Sequence, residues 1–201
     1  MDKQYTSTQR HTRVEKTHKE IVLIRHGKPS SAHNQKVSAS AYAQWVRRYN
    51  LSSLDPQSKP TVLEPLIDSY IIVSSLKRAS LSAAAYGAVD IDEVQPLLRE
   101  MDIPYYRLPF TMKAWHWVLV SRLLWFLGKK GKFESFNAAK YRVVLLAEHL
   151  ESIMMSESRA VLFGHGLIHY FLIRQLEKRG WLLVEKNSEF WGVSRLVKRR
   201  E

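Results

Sequence analysis

The sequence predicts an α/β protein in which helices cover both faces of a mostly parallel sheet, a three-layer αβα sandwich. Short apolar runs rich in β-branched residues, such as 21–24 and 160–163, alternate with longer segments of helical period, such as 136–156. These runs are continuously apolar, which is typical of parallel strands buried on both faces. A histidine also follows each of the two runs, close to the end of the predicted strand.

The size of the chain predicts one domain. With 201 residues, 45% of them hydrophobic, it can bury a sizeable core. We expect residues 1–19 to be a flexible, polar tail and residues 20–201 to form the domain. The absence of cysteine excludes disulfides and thiolate sites. Because the sequence has no signal-peptide core and no run long enough to span a bilayer, we expect a cytoplasmic protein without a transmembrane segment.

A formal net charge of +12 favours anionic partners, which include phosphoesters, nucleic acids and acidic lipid surfaces. A specific nucleic-acid partner is not expected, since the sequence contains no recognisable nucleic-acid-binding module and its charge does not form one long stripe. The charge therefore favours an anionic substrate without identifying it.

The order of the elements follows from the apolar pattern. The proline at position 29 predicts a loop after the first strand. A serine at 38 or 40 is a suitable N-cap for the next helix. The predicted strands are 21–24, 70–73, 94–98, 160–163, 181–184 and about 190–197, and the predicted helices are about 40–49, 76–86, 136–156 and 167–179.

Residues 105–132 form an aromatic, basic insert that we expect to contain one or two helices. Its tryptophans fit two interpretations. In the first, they pack against the body of the domain. In the second, the insert is a lid over the strand ends that selects the substrate, or an amphipathic surface that makes weak contact with a membrane.

Three predicted strands end in residues suited to bind and attack a phosphate. Arg25-His26-Gly27 follows the first strand, Gly164-His165-Gly166 follows the strand at 160–163, and the strand at 70–73 leads to Arg78. Ligand sites in such sheets lie beyond the carboxyl ends of the strands. Arginine gives paired, permanently charged donors to phosphate oxygens, and a neutral imidazole is a nucleophile.

This ordered set of motifs, with Ser74-Ser75-Leu76-Lys77-Arg78-Ala79 between the two histidine motifs, resembles the histidine phosphatase superfamily, which has the phosphoglycerate mutase-like fold. The resemblance covers roughly residues 20–197 and implies a metal-independent phosphatase without a cofactor, acting on a small-molecule or protein phosphomonoester.

The resemblance implies a role for each residue of the motifs. His26 would accept the phosphoryl group as a phosphohistidine, and Arg25 and Arg78 would bind phosphate together with Gly27 and Gly166. His165 would stabilise the charge that develops on the transferring group, helped by free backbone N–H groups where the following helix begins.

The proton donor to the leaving alcohol would be a carboxylic acid. Glu100 fits best, because 96–100 resembles the family's leucines followed by glutamate, and Asp102 is the rival. The remaining candidates, His116, His149 and His169, are interpreted as helix-face residues, and no cluster has metal-ligand spacing.

One departure from the family pattern favours a phosphatase over a mutase. Lys28-Pro29-Ser30 follows Arg-His-Gly where mutases and several sugar phosphatases carry an acidic residue, Thr and then Asn. Ser30 and Asn34 remain possible phosphate contacts, although such loop residues usually serve turns. The alternative from another class is a catalytically idle phosphate-binding or interaction module on the same fold.

Overall fold

The computed structural model describes residues 18–31, 33–61 and 63–199. The strands are β1 (His18–Arg25), β2 (Lys36–Ser38), β3 (Tyr70–Ser74), β4 (Glu93–Gln95), β5 (Thr111–Lys113), β6 (Arg159–Gly164), β7 (Leu182–Glu185) and β8 (Val193–Arg199). The helices are α1 (Ala39–Asn50), α2 (Lys77–Ala85), α3 (Ala114–Phe126), α4 (Phe136–Ser156) and α5 (Gly166–Glu177).

Six strands form the central sheet in the order β4-β3-β6-β1-β8-β7. The first four strands of that order are parallel to one another, β8 pairs antiparallel with β1, and β7 pairs antiparallel with β8. The predicted fold class is therefore confirmed. Because β3, β6 and β1 are parallel neighbours, the residues that follow them meet at one edge of the sheet.

The alternating sides of β1 show why the sheet needs cover on both faces. Ile21 and Leu23 belong to a core with residues of α4 and α5. Val22 and Ile24 point to the other face and pack with residues of α2. All four side chains are at most 1% exposed, which explains the continuous apolar run in the sequence.

The aromatic insert forms a small core of its own with α1. β5 pairs with β2 in a two-stranded antiparallel ribbon, and α3 follows directly. Trp117 is fully buried against Tyr42, with stacked rings 5.4 Å apart, and its Nε1 donates to the carbonyl of Val37. This contact corresponds to the first interpretation, packing against the body.

Several strands differ from their predicted bounds; β1, predicted at 21–24, extends from His18 to Arg25. The strand predicted at 94–98 is shorter, because Pro96 begins a 3₁₀ turn in which the Gln95 side chain accepts from the Leu97 N–H at 2.9 Å. The last strand starts at Val193 rather than near 190, after a turn with Trp191 at φ 64°.

The predicted tail is described only at residues 18 and 19, which are the first residues of β1, and its remainder lies outside the described residues. Within the described part of the chain, no helix has both the length and the apolarity that crossing a bilayer requires.

Candidate active site

The four motif residues meet at the carboxyl edge of the sheet. His26 follows β1, His165 follows β6, and Arg78 lies in the first turn of α2, after β3. The rings of His26 and His165 are 4.9 Å apart between centroids. His26, Arg78 and His165 are 2%, 1% and 0% exposed, so this is an internal cluster of polar groups rather than a surface patch.

Hydrogen bonds fix the ring of His26. Its Nδ1 lies 2.7 Å from the carbonyl oxygen of Gly27, which can only accept, so Nδ1 carries the proton. Nε2 therefore has a free lone pair, and it accepts from Arg78 Nε at 3.2 Å. In this neutral tautomer Nε2, the nitrogen beside the arginine, is the ring atom that carries the lone pair.

His165 is oriented by Ser74, the last residue of β3. Its Nε2 lies 2.8 Å from Ser74 Oγ, which also accepts from the Leu76 N–H at 3.4 Å. His165 Nδ1 is buried and has no hydrogen-bond partner among the described residues. If Ser74 donates to Nε2, the proton of the neutral ring lies on Nδ1, which then becomes an unpaired donor inside the cluster.

The Arg78 guanidinium is held by backbone as well as by His26. Its Nη1 donates to the carbonyls of Tyr49 and Asn50, at 3.3 and 3.2 Å, where α1 ends. Its Nη2 is buried and makes no hydrogen bond within the described chain. One face of the guanidinium is therefore anchored while one N–H group remains available to an acceptor.

Arg25 approaches the cluster from the end of β1. Its Nη1 donates to the Ser188 carbonyl at 2.7 Å, and its guanidinium carbon lies 4.3 Å from the centre of the Phe190 ring. Its Nε is buried without a partner in the described structure. A Cβ on Gly166 would lie only 3.2 Å from the guanidinium, so glycine allows Arg25 to lie against the start of α5.

The environment holds the histidines neutral. Burial, reinforced by the charge of Arg78, lowers the pKa of His26 to about 3. Burial and the same arginine hold the pKa of His165 well below its usual range. Two positive guanidinium groups and neutral imidazoles thus face one another, which is an arrangement suited to an anion.

Glu100, and not Asp102, lies beside this cluster. Its carboxylate accepts from the N–H of Ile168 at 3.1 Å and of Leu167 at 3.4 Å, at the start of α5. Asp102 instead accepts from Arg99 at 2.9 Å and from the backbone N–H of Glu134 at 2.8 Å. The contacts of Asp102 connect it to Arg99 and to the loop at Glu134, whereas those of Glu100 are at the start of α5.

Contacts within the protein alter two expectations about backbone N–H groups that were predicted to bind an anion. Free N–H groups were expected near Gly166 and Leu167, but the N–H of Leu167, like that of Ile168, donates to the Glu100 carboxylate. The N–H of Gly27 donates to Ser82 Oγ at 3.0 Å, and a Cβ at Gly27 would clash with the Trp191 ring. Gly27 thus serves a close contact within the protein, and its phosphate contact stays a prediction.

Three further residues belong to the site and were not assigned to it from the sequence. Phe190 lies 5.7 Å from the His26 ring and covers it. His169, interpreted as a helix-face residue, is buried beside Gly164, and its Nε2 lacks a partner among the described atoms. The sequence feature that could have identified His169 is its position four residues after His165, which places both residues on one helical face. Ser74 was inside a motif but had no role.

Solved structures with the same arrangement of elements exist. The protein of the open reading frame Rv3214 from Mycobacterium tuberculosis is similar over 91% of this chain and 96% of its own, with a TM-score of 0.52 and 16% identity. A proposed α-ribazole-5′-P phosphatase from Escherichia coli is similar over 79% of both chains, with a TM-score of 0.55 and 16% identity. The chain has the phosphoglycerate mutase-like fold. A mycobacterial protein named hydrolase 2 is similar over 92% of this chain and 84% of its own, with a TM-score of 0.51 and 18% identity.

At these identities the likeness establishes the phosphoglycerate mutase-like fold and not an activity. No protein-family model and no curated protein sequence matches the chain. The residues of the site must therefore carry the functional argument.

Side chains of the loop after Arg25-His26-Gly27 make contacts with neighbouring segments of the protein. Ser30 Oγ lies 3.1 Å from Ser52 Oγ, and Asn34 accepts from the backbone N–H of Trp115 at 3.1 Å. Lys28 pairs with Asp55 at 3.5 Å. These contacts connect the loop to neighbouring segments, which agrees with the interpretation that its serine and asparagine serve the loop.

Proposed function

We propose that the protein is a metal-independent histidine phosphatase that hydrolyses a phosphomonoester through a phosphohistidine on His26. One observation carries the proposal: a neutral imidazole, with its protonated nitrogen fixed on a carbonyl, directs its lone pair to Arg78 Nε in a cluster where Arg25 Nε, Arg78 Nη2 and His165 Nδ1 have no partner among the described residues. Buried polar atoms are normally paired, so unpaired donors from Arg25, Arg78 and His165 at one place favour a site for an anion with several acceptor oxygens.

The first step is the transfer of the phosphoryl group to His26. Nε2 attacks phosphorus, the bond from phosphorus to the ester oxygen breaks, and the leaving alcohol takes a proton from Glu100. Arg25 and Arg78 neutralise the phosphoryl oxygens, and His165 Nδ1–H donates to the charge that develops on them. Because His26 starts neutral, no proton has to leave it before attack.

The second step returns the enzyme to its starting state. Water attacks phosphorus, the bond from phosphorus to Nε2 breaks, and Glu100 takes back a proton from the water. The Glu100 carboxylate is held at the start of α5 by the N–H groups of Leu167 and Ile168, which keeps it beside the cluster for this step.

The test is a screen of the purified protein against phosphomonoesters in the presence of EDTA, with His26→Ala as the variant. Turnover should persist in EDTA and be lost in His26→Ala, and a radiolabelled phosphate should be trapped on His26 in an acid-labile, alkali-stable bond. Activity that EDTA abolishes and a divalent ion restores would contradict the mechanism.

The leaving group decides between the two carboxylates. Glu100→Gln should slow an alkyl phosphate by roughly a hundredfold and barely slow p-nitrophenyl phosphate, whose phenolate leaves without a proton. Asp102→Asn is the matched control. If Asp102→Asn showed this dependence and Glu100→Gln did not, the donor would be Asp102.

A second candidate is an idle phosphate-binding module. The observation in its favour is that His26 is 2% exposed and its Nε2 is already engaged by Arg78. Phosphate binding without any turnover, unchanged in His26→Ala, would favour this module over the phosphatase. The cytoplasmic location expected from the sequence stays a prediction in either case.

A further inference from the structure

A cleft of about 430 Å³ leads outward from the polar cluster. Arg25, Glu100 and Gly166, which the proposed function places around the phosphoryl group and the ester oxygen, are among its lining residues. A leaving group attached to that oxygen must therefore extend into the cleft. Its volume is within the range of sites that enclose a small organic molecule.

The walls of the cleft are mainly apolar. They include Ile103, Trp115, Val118, Phe126, Leu167 and Tyr170. The polar side chains of the lining include Arg25 and Glu100 of the proposed site and Arg122, which donates to the Met101 carbonyl. The lining is therefore better matched to a hydrocarbon or aromatic group than to a sugar.

The apolar wall is built before any ligand arrives. Trp115 is held edge-on against Trp45 and Tyr49, with centroids 5.3 and 5.8 Å apart. Arg122, also in the wall, donates to the Met101 carbonyl at 2.8 Å and lies over the Trp125 ring. A preformed wall needs little ordering when an apolar group binds.

The apolar surface continues from the cleft onto the outer face of α3. Leu119, Leu123 and Leu127, spaced at one helical turn, are 70%, 58% and 77% exposed. On the helix, Phe126 lies between these leucines and the wall residue Val118, so the two surfaces are continuous. Such a continuous exposed apolar strip beside a site is unusual for surface that contacts only water.

Building on the proposed phosphatase function, we propose that the substrate is a phosphomonoester of a hydrophobic alcohol, whose apolar group occupies the cleft between α3 and the start of α5. The phosphate end meets Arg25, and the apolar end meets Trp115, Val118 and Phe126. A longer apolar chain extends over the leucines of α3.

The binding of n-alkylphosphonates, which cannot be hydrolysed, tests the proposal on the full-length protein. Calorimetric Kd values are measured for ethyl-, butyl-, hexyl- and octylphosphonate below the concentration at which they aggregate. Affinity should rise by about two- to fourfold for each methylene buried, hence by roughly fiftyfold or more from ethyl to octyl. Equal affinities along the series, or tighter binding of glycerol and sugar phosphates, would overturn the hydrophobic class.

A pair of variants locates the effect. Phe126→Ser should reduce the gain in affinity per methylene. Met155→Ser, which changes an exposed apolar residue on α4, should keep the full gain in affinity. A gain that survives Phe126→Ser, Val118→Ser and Trp115→Ala would place the apolar group elsewhere and overturn the assignment.

The same measurements separate this inference from the proposed function. If neither inorganic phosphate nor ethylphosphonate binds, the phosphatase site itself is wrong. If both bind and chain length has no effect on the Kd, the proposed phosphatase site is retained and the proposal of a hydrophobic substrate is wrong.

Two sources of such a substrate are distinguished by adding dodecylphosphonate in phosphatidylcholine vesicles. If Leu119→Ser and Leu123→Ser weaken capture by vesicles but leave the Kd of soluble butylphosphonate unchanged, the hydrophobic phosphoester is taken from a membrane. If vesicles do not compete with octylphosphonate, the hydrophobic phosphoester is soluble. Both results support the class proposed.

Discussion

Arginines lie at both ends of the strand pair β1 and β6, and they differ in whether their N–H donors have partners. At the amino ends, Glu20 lies opposite Arg159 in the register, and at the carboxyl ends Arg25 lies opposite Gly164. Arg159 donates to Glu20, to Glu64, to Ser69 and to the Pro65 carbonyl. Arg25 and Arg78 have no carboxylate partner within the described residues and retain buried N–H groups without acceptors.

This difference shows how one sheet separates stability from function. A buried arginine whose donors are all paired belongs to the folded structure, because every charge near it is compensated. An arginine with unpaired donors beside neutral histidines is suited to an acceptor from outside the protein. The comparison therefore predicts opposite consequences for the same substitution at the two ends.

The largest effect on stability is expected for Arg159→Ala. It leaves the carboxylates of Glu20 and Glu64 buried with only Arg195 as a partner, and breaking such a buried pair costs about 3–5 kcal/mol. Urea unfolding should show this loss, while kcat/KM of the folded variant stays close to that of the wild type. Arg195→Ala, whose arginine is more exposed, is the matched control and should cost less.

Arg78→Ala should show the reverse pattern. It removes the unpaired Nη2 donor to the phosphoryl group and the hydrogen bond to His26, so kcat/KM should fall by roughly a hundred- to a thousandfold. The free energy of unfolding should fall less than in Arg159→Ala, because no buried carboxylate loses its partner. A fall in stability equal to that of Arg159→Ala, with kcat/KM retained, would remove the distinction between the two ends.

The sequence could predict the carboxyl end of the sheet better than the amino end. His26 and His165 are placed by the rule that parallel strands deliver their following residues to one edge, which needs only strand positions. The pairing of Arg159 with Glu64 depends on how a long loop folds back across the sheet, and no local pattern encodes that. Both residues look like ordinary surface charges in the sequence.

The same limit applies within the candidate site. The position of Glu100 rather than Asp102 at the start of α5 depends on the turn that Pro96 begins, which shortens the predicted strand. Phe190, whose ring lies 5.7 Å from that of His26, precedes Trp191, which adopts a left-handed conformation that is uncommon for a residue other than glycine. Neither detail follows from hydrophobic periodicity.

The two ends should also respond to acid in different pH ranges. Burial, with the charge of Arg25, lowers the pKa of His169 to about 3, so above pH 6.5 the histidine is neutral in both the folded and unfolded states. Between pH 6.5 and 3 the unfolded state binds the extra proton, so stability falls as the pH falls, by about 2–3 kcal/mol at pH 4.5 for one histidine.

His169→Gln should therefore flatten the fall in stability between pH 6.5 and 4.5, as measured by urea unfolding at several pH values. His116→Gln, at an exposed position on α3, is the control and should leave the slope unchanged. At the amino end, burial would raise the pKa of Glu20, but hydrogen bonds from Arg195 and Arg159 hold it below 4.5, so its contribution is lost only at lower pH. An unchanged slope in His169→Gln would mean that other groups set the acid sensitivity.

The smallest effect is expected for Ser74, which acts through His165. If its hydroxyl donates to His165 Nε2, it keeps the ring proton on Nδ1, so Ser74→Ala should lower kcat about tenfold with little change in KM. His165→Ala, which removes the donor itself, should lower kcat by a hundredfold or more.

Conservative replacement distinguishes this role of Ser74 from a packing role. Ser74→Thr keeps the hydroxyl and should restore most of the rate, whereas Ser74→Val has the same shape as threonine without the donor and should not. Combining Ser74→Ala with His165→Ala should cost no more than His165→Ala, because the serine acts only through that ring. If the two losses multiplied, Ser74 would contribute independently of His165, and its position at the end of β3 would matter for another contact in the site.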